Sequence, residues 1–375
     1  MNSVFIGALA IALAVVGAGT VPAEGASTPP AGAGNGPKVL ASICWHRFGK
    51  ETRKDPYRIS PERLAGELAW LKADGWSSVS LTQVAAALDG HPEALPDKGV
   101  LLSVDDGYKA GALGADVFER YGFHAVYFVY PAVLGHGAFL DGDALRKLEA
   151  RGHEVACHSL THPNLARVAP GVGPQGYVRW VRRELGESKA RLEKTLGHPV
   201  DALAWPYGAY NATLAAEARR LGYRQLWSVS GGLNTVPGLD GNRLRRILLE
   251  GHPSLDSFKA RLNARPAPWG LSGVAEADLL YPSDLPRPVS APAEAVVALD
   301  GRRLHPSGPG GLALPANLKI GFHVLTLEAV DRGGRRETPY LFQVAREEWR
   351  PAFEALSEDA QGDRDTPSPS ALGRP

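Results

Sequence analysis

VLLSVDDGY, residues 100–108, is an apolar run that stops abruptly at two adjacent carboxylates, Asp105 and Asp106, and a glycine. A strand buried on both faces of a parallel sheet reads as such an unbroken apolar run, and its carboxyl end delivers the next residues to the sheet rim. Further on, His158-Ser159-Leu160-Thr161-His162 sets two imidazoles four residues apart, directly after a second apolar run, Glu154-Val155-Ala156-Cys157. One carboxylate and two histidines form a ligand set that leaves a zinc-type ion an open position for water. The second carboxylate is then free to act as a base. A metal, a base and a strand-end location together point to a hydrolase.

Outward from these two segments, strand and helix patterns alternate. Val39 to His46 is an apolar strand ending in a histidine, and Ser60-Pro61-Glu62 opens a helix with an N-cap, a proline at the first position and an acid in the first turn. Helices are expected over Ala115–Tyr121, Asp143–Arg151, Tyr177–Leu196 and Leu214–Leu221. The strands Ala125–Val129, Ala202–Trp205, Gln225–Ser228 and Arg246–Leu249 fall between or after them. Such alternation predicts a parallel sheet with right-handed crossovers, and so many units predict a barrel or near-barrel. In a barrel the chemistry lies at the carboxyl ends of the strands. His46, Asp105, His158 and Pro206 all fall just past such ends.

The 375 residues allow one large domain and a smaller one. A net charge of +1 with no basic block gives no reason to expect nucleic acid as a partner. Residues 1–26 hold one continuous apolar segment followed by small residues. They are read as a signal peptide or an uncleaved N-terminal anchor, which makes the protein an exported one of periplasm, envelope or exterior. A Pro/Gly/Ala-rich linker covers 27–38. The β/α pattern occupies 39–270 and changes after Leu280, where alternating strands and Asp-Gly or Gly-Gly turns predict a small antiparallel β-sandwich over 280–348. Residues 357–375 are polar and Pro/Ser-rich and are expected to be disordered. Cys44 and Cys157 are the only cysteines. They could pair in an exported protein, but two buried thiols in apolar strands is the favoured reading.

Ser103-Val104-Asp105-Asp106-Gly107-Tyr108, His158-Ser159-Leu160-Thr161-His162 and Trp205-Pro206-Tyr207-Gly208 together resemble, in order and spacing, three motifs of the polysaccharide deacetylases, carbohydrate esterase family 4. The resemblance covers about residues 38–265. It implies a distorted (β/α) barrel, followed here by the β-sandwich, and removal of acetyl groups from a sugar polymer. It further implies that Asp105 is the base and that Asp106, His158 and His162 bind a divalent ion, zinc first, with cobalt or nickel as alternatives. Cys44-Trp45-His46-Arg47 resembles a segment of the circularly permuted branch that includes biofilm exopolysaccharide deacetylases. That makes His46 the candidate acid, with His252 the runner-up. The chain departs from the family at Asp201–Ala204, where an arginine often precedes the Trp-Pro motif, and Arg246 is a substitute for that charge.

On this reading the Tyr207 N–H completes an oxyanion hole, and Trp205, Pro206, Tyr108 and Arg246 are candidate substrate contacts. Trp205, Tyr108, Tyr210 and Trp227 suit sugar stacking and core packing equally. The expected substrate is an acetylated polysaccharide of the envelope or exterior, with envelope export machinery as a partner and the chain a monomer. N-deacetylation leads. An O-acetyl (xylan-type) esterase, a glycosidase using the carboxylate pair, and a catalytically silent carbohydrate-binding protein are the alternatives. The glycosidase is disfavoured because neighbouring strand residues point to opposite faces.

Overall fold

The computed structural model describes residues 38–362 apart from 237, 268–269, 307–310 and 332–333. The N-terminal apolar segment, the linker up to 37 and the chain beyond 362 lie outside the described residues. Among the described residues, no helix is long and apolar enough to cross a membrane.

The barrel strands are β1 (Lys38–Trp45), β2 (Lys98–Asp106), β3 (Val126–Val129), β4 (Glu154–Cys157), β5 (Ala202–Ala204) and β6 (Gln225–Trp227). They pair in that order, all parallel. β7 (Asn234–Val236) lies antiparallel on the outer edge of β1. Helices α1 (Pro61–Ala73), α2 (Leu81–Leu88), α3 (Ala115–Tyr121), α4 (Gly142–Ala150), α5 (Pro174–Leu196) and α6 (Ala212–Arg220) make the crossovers. Ser60 caps α1, its side chain accepting from the Arg63 N–H, and Pro61 opens the first turn.

The sheet curls toward closure without a full ladder between β6 and β1. The segment 241–248 spans the gap. Leu226 N–H donates to Gly241 O (2.7 Å), Leu244 N–H to Leu226 O (2.9 Å) and Ser228 N–H to Leu244 O (2.8 Å). The short strand β8 (Ile247–Leu248) then pairs with Ile43 and Cys44 of β1. This is a distorted half-barrel.

Strand alternation sorts the side chains. Val39, Ala41, Ile43 and Trp45 of β1, with Val100, Leu102 and Val104 of β2, join the core beneath the helices. Leu40, Leu101, Val126, Phe128, Ala156, Ala202 and Trp227 form a second core on the opposite side of the sheet, closed by Leu81, Val84 and Leu95. In register with Leu40 and Leu101 come Ser42, Cys44, Ser103 and Asp105, all buried. The barrel interior is therefore apolar at its base and polar toward the carboxyl ends of the strands. Cys44 and Cys157 are free, buried thiols.

The C-terminal part is a five-stranded sheet of β9 (Leu279–Leu280), β11 (Val296–Leu299), β12 (Arg302–Arg303), β14 (Gly321–Asp331) and β15 (Gly334–Val344), in the order β9-β15-β14-β11-β12. β9 runs parallel to β15, so the sheet is not wholly antiparallel as expected. A two-stranded ladder, β10 (Arg287–Val289) with β13 (Leu312–Leu314), packs on one face through Val289 and Leu314. The other face packs on the barrel: Val324, Leu341 and Ala345 join its helix-side core. The expected disorder from 357 is corrected over its first residues. Helix α7 (Arg350–Gly362) runs through them, its Ala352, Phe353 and Leu356 buried, with Phe353 edge-on to Tyr177 of α5 (5.3 Å).

Glu67 of α1 is buried and accepts a hydrogen bond from Trp45 Nε1 (3.1 Å). Burial raises its pKa to about 7, against the opposing pull of Trp45 and Arg63. The folded pKa lies above the unfolded one. Stability from this site is therefore full below the unfolded value and is lost as pH rises through about 7. Glu67→Gln keeps an acceptor for Trp45 without the charge. It is expected to be neutral at pH 4.5 and stabilising by on the order of 2–3 kcal/mol at pH 8, checked by denaturant unfolding at both pH values.

Candidate active site

Asp105 and Asp106 end β2. Alternation would send them to opposite faces, but Asp106 takes a left-handed backbone (φ 77°) and Gly107 follows at φ 74°. A Cβ on Gly107 would crowd the Val129 side chain at 3.0 Å, and the positive φ strains any side chain there. The result is convergence. His158 Nε2 lies 3.7 Å from Asp105 Oδ2 and 3.7 Å from Asp106 Oδ1, and His162 Nε2 lies 3.3 Å from Asp106 Oδ1. The premise that disfavoured a glycosidase, carboxylates pointing apart, is therefore not met.

His158 donates from Nδ1 to the Ala204 carbonyl (2.8 Å), which leaves the Nε2 lone pair facing the carboxylates. Burial pushes His158 down to about 3 and His162 to about 4, so both imidazoles are neutral near pH 7. Asp106 Oδ1 is buried with no hydrogen-bond partner, and burial raises its carboxyl pKa. Two neutral imidazoles and one orphaned carboxylate oxygen thus face each other, with ligand atoms within 4.8 Å. Such a set fits a divalent cation, because without one these acceptors have nothing to accept from.

A second group, Cys44, His46 and Asp105, is equally close, but its character differs. Arg246 holds Asp105 in a fork, Nη1 to Oδ1 at 2.7 Å and Nη2 to Oδ2 at 2.9 Å. The same guanidinium donates to Ser103 Oγ (3.0 Å) and the Ser228 carbonyl (3.1 Å) and is wholly buried. Burial would raise Asp105, but Arg246, His158 and His46 outweigh it and hold the carboxyl well below its usual range. Burial pushes the Cys44 thiol up, so it keeps its proton. A resident guanidinium and a protonated thiol make a poor cation site.

His46 follows β1 directly. It stands with one ring nitrogen in the Asp105 group, Nδ1 buried without a partner, and its ring 4.8 Å from Tyr57. The runner-up, His252, is bonded through Nε2 to the Arg58 carbonyl (2.9 Å) and belongs to neither convergent group. Tyr207 is left-handed (φ 61°) and 57% exposed, its ring 4.7 Å from that of His162. Gly208 must stay glycine there, since a Cβ would lie 2.3 Å from Val229.

Three expected substrate contacts are corrected. Trp205 and Pro206 are buried beneath the Tyr207 turn, Trp205 stacked on the equally buried Tyr210 (5.7 Å, 10°). Arg246, fully buried, spends its donors on Asp105, Ser103 and Ser228 and so is a partner of the base candidate. Trp227 is also core. Tyr108 stays half-exposed, stacked on Phe139 (4.5 Å) under the Arg47 guanidinium (4.8 Å). Sequence reasoning missed Tyr57, Tyr130 and Phe139, which wall the site by ring contacts. No local signal marks them.

The C-terminal sheet also reaches the site's supports. Glu276, buried, accepts from Tyr210 Oη (3.1 Å) and the Leu341 N–H (2.8 Å) and lies 3.4 Å from Arg245. Asn211 donates to Gln343, which donates to the Ala166 carbonyl (2.7 Å). Three loops are thereby tied to one sheet: those after His162, after Tyr207 and before Arg246.

Residues 93–226 match the family model described as polysaccharide deacetylase. Asp105, Asp106, His158, His162 and the Trp205–Gly208 turn fall inside the match, and His46 and Arg246 fall on either side. The chain is 25% identical over 266 residues to the poly-beta-1,6-N-acetyl-D-glucosamine N-deacetylase of Escherichia coli, over 60% of this chain and 38% of that protein. It thus spans well under half of that relative's length. A chitooligosaccharide deacetylase of Rhizobium leguminosarum is 27% identical over 38% of this chain and 63% of that one. Among solved structures, a Streptococcus pyogenes deacetylase in complex with acetate superposes with TM-score 0.54 at 21% identity, covering 60% of this chain and 99% of that one. IcaB from Ammonifex degensii gives 0.52 at 24%, covering 60% and 96%. Residues 93–226 thus match a polysaccharide deacetylase domain, and 60% of the chain shares the fold of the solved deacetylases.

Two substitutions test the supports. Arg246→Met strands the buried Asp105 charge and is expected to cost about 3–5 kcal/mol in denaturant unfolding, with Asp105→Asn/Arg246→Met recovering part of it. Glu276→Leu orphans Tyr210 Oη and the Leu341 N–H and is expected to cost about 2–4 kcal/mol by the same measurement.

Proposed function

We propose that this protein is a metal-dependent hydrolase that removes N-acetyl groups from sugar residues of an extracellular or envelope polysaccharide. The observation that carries the reading is the orphaned, mutually facing donor set of Asp106, His158 and His162 beside the Arg246-clamped Asp105. Asp106, His158 and His162 would hold the ion, zinc first. When bound, it supplies positive charge that polarises the acetyl carbonyl and acidifies the attacking water.

Asp105 takes the proton of that water. Arg246 keeps it ionised and fixes its orientation, so it is a weak but always available base. His46, which stands in the Asp105 group, gives a proton to the leaving nitrogen. The Tyr207 N–H stabilises charge on the acetyl oxygen, a donor of a kind worth about 3 kcal/mol. The names of the relatives support an N-acetylated polymer. Export through the N-terminal segment fits such a substrate. The same groups would serve an O-acetyl ester, and the test separates the two.

The experiment is acetate release from N-acetylglucosamine oligomers by the chain lacking residues 1–26, stripped with chelator and reloaded with zinc, cobalt or nickel. Metal content is read separately by mass spectrometry. Asp105→Asn is expected to lose about 10²–10⁴-fold in kcat while retaining metal, and Asp106→Asn to lose the metal itself. Cleavage of acetylated xylan with no amide cleavage would move the function to an O-esterase. Metal binding with silence on both would leave the carbohydrate-binding reading.

A further inference from the structure

Beside the metal-type donor set lies an open cleft of about 390 Å3, lined by Arg47, Arg58, Tyr108, Lys109, Leu113 and their alanine neighbours. Its volume is in the range of small-ligand sites. An aromatic wall joins it to the site: Tyr108 stacks on Phe139 (4.5 Å), Phe139 meets Tyr130 (5.5 Å), and Tyr130 meets His162 (5.2 Å). A chain of sugars with one residue at His162 therefore has a neighbour within reach of the cleft.

The cleft is basic in a chain that is nearly neutral. Its wall holds three cations, Arg47, Arg58 and Lys109. Asp55 is shared between the two arginines (2.7 and 3.0 Å) and offsets one of them. Arg47 Nε is buried with no partner, although Arg47 Nη2 is bonded to Asp55. The loop that carries the arginines, residues 47–58, has five cations (Arg47, Lys50, Arg53, Lys54, Arg58) and two carboxylates, and Glu51 of these is taken by Arg63. Against this charge stand Leu113, 62% exposed, and the half-exposed Tyr108 ring. Cations beside a ring and an aliphatic side chain suit a sugar that has an apolar face and an acidic group. A homopolymer of N-acetylglucosamine brings no anion, and its deacetylated residues bring a cation that this wall repels.

We propose that this cleft binds a carboxylate-bearing sugar residue, of the hexuronic acid class, adjacent to the acetamido sugar. The substrate is then an acidic, mixed polysaccharide rather than a neutral homopolymer. This rests on the deacetylase reading for what happens at the metal site, but the binding it describes is separable from catalysis.

The experiment measures equilibrium binding of two tetrasaccharides to the full chain carrying Asp105→Asn, so that nothing is turned over. One alternates N-acetylhexosamine with hexuronic acid, and the other contains N-acetylglucosamine alone. The acidic oligomer is expected to bind roughly tenfold or more tighter at low salt, and the margin is expected to shrink at 0.5 M salt. Arg58→Ala with Lys109→Glu is expected to erase the margin, with folding of the variant verified by circular dichroism. Equal binding of the two oligomers, binding of neither, or a margin that survives those substitutions overturns the proposal. Acetate release from the same oligomers by the unsubstituted chain is read alongside. Tight acidic binding without any release would sink the deacetylase reading and leave the cleft assignment standing.

Discussion

The fork between Arg246 and Asp105 is the interaction on which the rest of the site depends. It sits inside the barrel, where a lone carboxylate would take up a proton and a lone guanidinium would be costly to desolvate. Paired, with Ser103 and Ser228 taking the remaining donors, each makes the other tolerable. The pair also closes the barrel. Arg246 comes from the segment that spans the open seam between β6 and β1, and Asp105 comes from the far side of β1, so the fork ties the seam across the interior. A barrel with a weak ladder at one edge gains from a polar interior a constraint that backbone pairing does not supply there.

Backbone strain is concentrated around that fork. Asp106, Ser159, His162 and Tyr207 all take left-handed conformations without being glycine, each at a cost of order 1 kcal/mol or more. Asp106 is turned so that two successive carboxylates of one strand face one centre, and His162 is turned to meet them. The left-handed turn at Tyr207 lifts its ring out beside His162 while Trp205 and Pro206 stay in the core. Strain of this kind persists only where neighbours hold it. Here the C-terminal sheet does so, through Glu276, Gln343 and the core residues it shares with the barrel. It thus acts on the barrel as a brace, and the sheet's remaining face carries only a short ladder.

Much of this was legible in the residue pattern, for definite reasons. VLLSVDDGY and EVAC read as buried parallel strands because both faces are covered, and buried strands have no polar register to obscure them. The histidine pair and the carboxylate pair were visible because their spacing is local. The errors came where local pattern meets long-range packing. Trp205 looks the same whether its ring faces a sugar or Tyr210, and only the left-handed Tyr207 beside it decides that it faces inward. Arg246 reads as the substitute for the arginine beside the base and does hold Asp105, but its second role as a substrate contact fails because its burial depends on a segment that closes a seam more than 140 residues from Asp105. The sharing of core between barrel and C-terminal sheet has no local signature at all, since Leu341 and Val324 alternate on strands as they would in any sheet.

The charge distribution follows one logic from the interior to the rim. Inside, two carboxylates meet one fixed guanidinium, so the centre is short of one positive charge, and the orphaned oxygen of Asp106 marks where it is missing. A divalent ion held there would more than make up the deficit and leave the centre net positive, as the proposed hydrolysis would require. At the rim Lys109 is exposed, and Arg47 and Arg58 are half-buried around Asp55. Ion pairs this near the surface contribute little to stability, about 0–1 kcal/mol each. A near-neutral chain that collects such cations beside its centre gains little fold stability from them. What they do create is a local field, and a field at the mouth of a cleft acts on whatever charged polymer approaches it.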